Sequence, residues 1–353
     1  MSGKPYFERV HSQTRTRFWI NNVTREDAEL AINAGAVGCT QNPSYTFKML
    51  MDEVEGPYAM QKLDEILKRN ENSNEVQETL QRSLVEEIAT TFLPLYEASG
   101  GKEGFVSIQG NPFKEDTETL VENARFNRKA GANIMAKIPA TKEGIEAIGI
   151  LASEGVPINA TEVMAVKQAL DVAETYEKAT RGMKDRAPIY YSHIAGIYDE
   201  YLSNAASEQN IDISKDLLWQ AGISIAKKTY STVKEKYNDV GFIGGGARGV
   251  HHFTEMVGVD GAITINWKGT ADVLIEQDLP VVQHFLRPTP DSVIDELVEK
   301  LEDYRRGYFI NAITADEYEA FGPVVHFRKS FEKSWKKAEN LITIRRSELG
   351  LRN

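Results

Sequence analysis

The chain has 353 residues, 41% of them hydrophobic and 26% charged, which is enough for one large core. Its formal net charge of −11 argues against the broadly basic face that nucleic acid or an anionic membrane requires, though not against a local cationic pocket. Cys39 is the only cysteine, which excludes an intrachain disulfide; the first twenty residues lack the apolar core of a signal peptide and no run of roughly 18 apolar residues occurs, so the reading is a cytoplasmic protein without a membrane span.

Short apolar, β-branched runs alternate with longer amphipathic stretches along the chain. The first predicted strand is Arg17–Asn21, followed by a helix over Arg25–Ala34 that Thr24 caps. The second strand, Ala36–Asn42, precedes a segment of about residues 43–103 that is too long for one helix and carries two helical patterns, Pro57–Arg69 and Glu75–Ala98. Strand Gly104–Gly110 leads to helix Asp116–Ala130, and strand Asn133–Pro139 leads through the cap Thr141 to helix Lys142–Glu154. Strand Pro157–Val163 and helix Met164–Ala179 follow, then strand Pro188–Ile194 and a helix over Ser214–Lys236 capped by Ser214. The last strands are Val240–Gly246 and Gly261–Asn266; beyond them, Ser292–Arg306 and Phe321–Ile344 predict terminal helices over about residues 290–345.

Eight strands separated by helical segments predict a closed parallel (β/α)₈ TIM barrel, read as one domain over residues 1–353. An open doubly wound sheet is the competing architecture. It would place a glycine-rich turn after the first strand, and Asn21-Asn22-Val23-Thr24 is not one.

In such a barrel the functional side chains stand at the C-terminal ends of the strands. Those ends carry Asn21, Asn42, Gln109, Lys137, Asn159, Thr161, Ser192 and Arg248. Lys137 is the only charge in its apolar strand. Burial disfavours an ammonium and leaves an amine able to attack a carbonyl, although a lysine at a strand end also snorkels to water in many proteins. An arginine such as Arg248 suits an oxyanion through charge and its paired donors.

Several of these residues lie in motifs that resemble the transaldolase family. They are Gly38-Cys-Thr-Gln-Asn-Pro-Ser44, Ala136-Lys-Ile-Pro-Ala-Thr-Lys-Glu-Gly144, Ile158-Asn-Ala-Thr161 and Tyr191-Ser-His-Ile-Ala-Gly196, in order along nearly the whole chain. The resemblance implies a class I enzyme that holds a ketose as a Schiff base on Lys137 and transfers or cleaves a dihydroxyacetone-type unit in carbohydrate (pentose phosphate) metabolism. It further implies that Asn42, Asn159 and Ser192 bind substrate oxygens, that Thr161 orients a water, and that Arg248 grips the anion of a small sugar phosphate. Neither metal nor organic cofactor is expected, because the iminium is the electron sink and His251-His252 stands without a facing histidine cluster.

The departures are as informative. Asn21 and Gln109 stand where the family carries carboxylates, and an amide cannot exchange a proton at neutral pH. Ile194 stands where the fructose-6-phosphate aldolase branch has a tyrosine, and Ile197 where the family has a second phosphate-binding arginine. Glu162, beside Thr161, is the first choice for a replacement acid/base group and Tyr190 the second. By strand alternation Tyr190 points into the barrel, whereas Glu162 and His193 point away, His193 in a structural role. Aldolase action on a phosphorylated or sulfonated ketose and a non-catalytic sugar-binding barrel remain open alternatives, as does assembly into a homo-oligomer.

Overall fold

The computed structural model describes residues 4–69 and 73–351. Eight parallel strands close into a barrel in chain order: β1 (Thr16–Asn21), β2 (Gly38–Gln41), β3 (Phe105–Gln109), β4 (Ile134–Pro139), β5 (Ile158–Val163), β6 (Ile189–Ile194), β7 (Gly241–Gly245) and β8 (Gly261–Ile265). Pairing of β1 with β8 removes the last sheet edge. Among the described residues, no helix is long and apolar enough to cross a membrane.

The helices start where the local chemistry places them. Thr24 closes a capping box with Asp27, Thr141 accepts from the Gly144 N–H, and Ser214 accepts from the Leu217 N–H. Three helices precede β3 after β2: Tyr45–Met51, Gly56–Leu67 and Ser73–Ala98. The predicted stretch Ser292–Arg306 is instead two helices, Asp291–Lys300 and Glu302–Tyr308, because Leu301 leaves helical geometry (φ −121°, ψ 106°) as it enters the core. Helices Tyr6–Gln13 and Ala195–Glu208 were not foreseen. The first is held by Phe7, whose ring stacks on Phe18 of β1 at a centroid distance of 4.0 Å.

The bore of the barrel is graded in polarity. Its N-terminal half is filled by Trp19, Phe105, Met135, Ile243 and Ala262, with Tyr190 packed against them. The bulk of Trp19 and Tyr190 fits because their strand neighbours are glycines. A Cβ on Gly38 would stand 2.3 Å from the Trp19 ring, and one on Gly241 would stand 2.4 Å from that of Tyr190. The C-terminal half is instead polar, with Thr40, Ser107, Lys137, Asn159, Thr161, Ser192 and Thr264. A dry plug therefore closes one end while the other keeps hydrogen-bonding capacity.

The 27-residue helix Gly322–Glu348 returns to this polar end, spanning about 40 Å. Phe327, Phe331, Trp335 and Ile342 bury its apolar stripe, each contributing roughly 1.5–3 kcal/mol when fully buried. Phe327, Ser330 and Phe331 thereby become part of the wall above the barrel mouth.

Candidate active site

A cavity of about 420 Å³ opens at the C-terminal end of the strands. Asn21, Asn42, Lys137, Thr161, Ser192 and Arg248, all singled out in the sequence, line it. Gln109, Asn159 and Glu162 do not reach its wall; they lie buried beside it.

Lys137 rises from β4 with 6% of its surface exposed. Burial lowers its pKa from the ordinary 10.5 to about 8, against the opposing pull of the Glu162 charge. At pH 7 about one lysine in ten is then neutral, against about one in three thousand for an ordinary lysine. Its neighbours in the ladder are Gln109 of β3 and Asn159 of β5. The Thr161 hydroxyl, on the cavity wall, has no hydrogen-bond partner among the described residues. That leaves it free to hold a water or a substrate oxygen.

The polar residues around the lysine are held by one another. Ser192 Oγ donates to Asn159 Oδ1 at 2.7 Å, and Asn159 Nδ2 donates to Ser107 Oγ at 3.2 Å. Both ends of Asn159 are thus committed, so it fixes Ser192 from beneath. Asn21 is equally tied, accepting from Thr40 Oγ1 at 2.9 Å and donating to Asn266 Oδ1 at 3.0 Å. Asn42 Oδ1 accepts from Asn22 Nδ2 and the Ser44 N–H, so Asn42 offers the cavity its amide donors. Thr40, Thr264, Asn266, Lys48 and Lys268 also line the cavity and went unremarked in the sequence. Alternation within β2 and β8 would have found the two threonines; Lys48, on helix Tyr45–Met51, and Asn266 and Lys268 after β8 carry no such signal.

Glu162 is where simple alternation fails. The β5–β6 register shifts between Ala160 and Val163, and Glu162 adopts a positive φ of 60°. The predicted outward orientation is therefore corrected: its Oε1 accepts from Gln109 Nε2 at 2.9 Å, and its charge acts on Lys137. Burial raises the Glu162 pKa above the usual carboxylate value, opposed by the Gln109 hydrogen bond. His193 does face outward; it is buried against the Gly222 carbonyl at 3.2 Å, and burial lowers its pKa to about 4. Tyr190 drops out as an acid/base candidate. It is the second residue of β6, pairs with Gly241, and lines a separate cavity at the N-terminal pole with Trp19. Pointing into a barrel is not the same as pointing at its mouth.

Arg248 follows β7 and reaches the cavity from an exposed position. Its Nε pairs with Glu200 Oε2 at 2.5 Å, so its charge is partly answered before any ligand arrives. The adjacent His251-His252 pair meets Asp199, with donor atoms of the three residues within 4.8 Å of one another. His252 Nδ1 accepts from the Arg248 backbone N–H at 3.4 Å, so the Nε2 proton is directed to Asp199 Oδ2 at 3.0 Å. This buried couple buttresses the loop that carries Arg248. Ile194 and Ile197 form apolar wall between Ser192 and Arg248.

Residues 18–342 match the family model described as Transaldolase/Fructose-6-phosphate aldolase. A protein of Neisseria gonorrhoeae named Transaldolase is 27% identical over 296 residues, covering 80% of this chain and 81% of its own length. One of the same name from Thiobacillus denitrificans is 23% identical over 333 residues, covering 84% and 90%. A third, from Mycobacterium tuberculosis, is 28% identical over 240 residues, covering 63% and 62%.

Proposed function

The chain belongs to the transaldolase/fructose-6-phosphate aldolase family and is an enzyme of transaldolase/aldolase type, and we propose that it works through a Schiff base on Lys137 with an anionic ketose. The observation that carries this reading is Lys137 itself, a buried lysine with its pKa lowered to about 8 on the wall of the mouth cavity. The neutral amine attacks the ketose carbonyl to give a carbinolamine, and loss of water leaves an iminium. C3–C4 cleavage then delivers its electron pair into the iminium. The resulting enamine holds a dihydroxyacetone-type unit, which passes to an aldehyde acceptor or is released.

Roles for the other residues follow from position. The Asn42 amide donates to a substrate hydroxyl, Ser192 Oγ, whose proton goes to Asn159, accepts from one, and Thr161 holds the water that leaves and returns. Asn159 and Asn21 hold their neighbours in place. Glu162 moves the proton, since neither Asn21 nor Gln109 can. Arg248 binds the substrate anion, phosphate or sulfonate, with Lys48 and Lys268 on the same cavity wall. No other arginine lines this cavity among the described residues, because Ile197 occupies the site of the family's second one.

The test is borohydride trapping with a panel of phosphorylated and sulfonated ketoses, read by intact mass and peptide mapping. One covalent adduct on Lys137 is expected, and none in a folded Lys137→Arg variant, whose guanidinium keeps the charge but forms no imine. Undiminished trapping in that variant would refute the assignment.

A further inference from the structure

Away from the mouth cavity, a second group of ligating side chains converges where helix Ala195–Glu208 meets the short helix His251–Thr254 after β7. One ligand atom each from Asp199, His251 and His252 lies within 4.8 Å of the other two. The three residues share the wall of a cavity of about 560 Å³, with Ile211, Leu218 and Trp219 among its apolar lining. Arg248 lines this cavity and the mouth cavity alike. The facing group that the His251-His252 pair lacks among the histidines is thus supplied by a carboxylate.

The polar atoms of this cluster are incompletely answered. The Asp199 carboxyl group is buried, its Oδ1 accepting from the Gly222 N–H at 2.6 Å and its Oδ2 facing His252 Nε2 at 3.0 Å. No lysine or arginine pairs with it among the described residues. A buried carboxylate without a cation is costly, and a neutral imidazole compensates it only in part. His251 Nε2 is buried and has no hydrogen-bond partner among the described residues, while Trp219 covers one face of the ring at a centroid distance of 4.2 Å. Glycines keep the surroundings of both rings clear. A Cβ on Gly196 would stand 3.0 Å from His252 Nε2, and one on Gly249 would stand 2.9 Å from His251 Nδ1.

Two imidazoles and a carboxylate are a donor set for zinc and its neighbours, whereas magnesium and calcium take oxygen ligands. We propose that Asp199, His251 and His252 bind one divalent ion of the zinc class, with a fourth position open to water from the cavity. Donor atoms around a tetrahedral zinc ion stand roughly 3.4 Å apart. The Asp199–His252 pair is already near that spacing, and a small movement of the half-buried His251 ring closes the rest. The ion takes the lone pair of His252 Nε2, and the ring keeps its single proton on Nδ1. The Gly249 carbonyl, a hydrogen-bond partner of this ring, then accepts that proton, as the outer nitrogen of a metal-bound imidazole requires. The long 3.4 Å contact from the Arg248 N–H is given up in exchange. Such an ion answers the Asp199 charge and ties helix Ala195–Glu208 to the segment that delivers Arg248. The site stands apart from the Schiff-base reading, since none of its three donors lines the mouth cavity.

The test is titration of the full chain with Zn²⁺, and with Mg²⁺ as control ion, read by calorimetry and by thermal melting. Zn²⁺ should bind at one site and raise the melting temperature, because an ion that binds only the folded state stabilises it. EDTA should reverse the rise, and Mg²⁺ should produce none. His251→Ala, at a half-buried position, should weaken Zn²⁺ binding by at least about 100-fold, and the shape-conserving Asp199→Asn should do the same. Co²⁺ added to the wild type should give the intense visible bands of a four-coordinate ion, a readout that depends on no variant. Equal Zn²⁺ affinity in wild type and His251→Ala would put the ion elsewhere and overturn the proposal. A wild type that binds no Zn²⁺, or that shows with Co²⁺ only the pale spectrum of the six-coordinate aqueous ion, would overturn it as well.

Discussion

Gln109 Nε2 donates to Glu162 Oε1 at 2.9 Å, joining the end of β3 to the irregular end of β5 directly beside Lys137. The amide cannot replace a carboxylate in proton transfer, but it can aim one. Glu162→Gln should cut kcat by about 10²–10⁴-fold, the range of general acid/base catalysis. Thermal stability should hold or rise, because the variant buries no carboxyl group. Gln109→Glu should leave turnover changed but present. Steady-state kinetics beside a thermal melt checks all three, and a fully active Glu162→Gln removes Glu162 from the reaction.

On the proposed Schiff-base reading, the Lys137 proton links activity to stability. Adduct formation should rise with pH up to about 8, as the ammonium deprotonates. The unfolded chain keeps that proton to the ordinary value of 10.5, so between about 8 and 10.5 it binds more protons than the folded one. Stability should therefore climb across that window, by at most about 3 kcal/mol from this group. Below pH 8 the buried ammonium is a standing cost. Lys137→Met should then raise the melting temperature at pH 7 while abolishing trapping; a lower melting temperature would contradict the burial argument.

Arg248 and Glu200 make a second testable couple, at 2.5 Å on the rim of the cavity. Arg248→Ala should raise KM for an anionic ketose by the worth of a charged hydrogen bond, about 1.5–3 kcal/mol or roughly 10–150-fold. Glu200→Gln frees the guanidinium and should lower KM for the same substrate. Moderate salt should weaken binding in the wild type, as expected of an exposed charge. Equal KM values across wild type and both variants would place the anion elsewhere, with Lys48 and Lys268 the next groups to remove.

The strands were legible because each is a short, largely apolar run between helical stretches, and all eight fall within about two residues of where the sequence places them. Lys137 was legible because a lone charge in an apolar strand has few structural uses. What escaped was decided by tertiary context. Glu162 turns inward through a register shift and a positive φ that no alternation rule encodes. Tyr190 has the right parity but the wrong depth, since depth depends on barrel stagger. Phe327, Arg328 and Phe331 read as one more amphipathic stripe until the helix is laid across the mouth. Asn159 was read as a substrate ligand, and the hydrogen bonds that tie it to Ser107 and Ser192 cross strands, which no single-strand pattern displays.

That support makes the last prediction. Asn159 is the ladder partner of Lys137, fully buried, with Ser192 donating to its oxygen and its amide donating to Ser107. Asn159→Ala leaves two buried hydroxyls without partners and should cost about 1–3 kcal/mol for each. Ser192→Ala leaves one buried group, the Asn159 oxygen, without its donor and should cost about half as much, and it should in addition weaken substrate binding, because Ser192 is the member of the chain that reaches the cavity. Asn159→Asp keeps the shape but sets a carboxylate beside the lysine. A nearby negative charge favours the ammonium, so the Lys137 pKa should climb from about 8 back toward its ordinary value. Each unit of that climb should slow adduct formation at pH 7 by about tenfold and be recovered at correspondingly higher pH. A loss of rate that higher pH fails to restore would mean that Asn159 acts on the substrate directly rather than through Ser192 and Lys137.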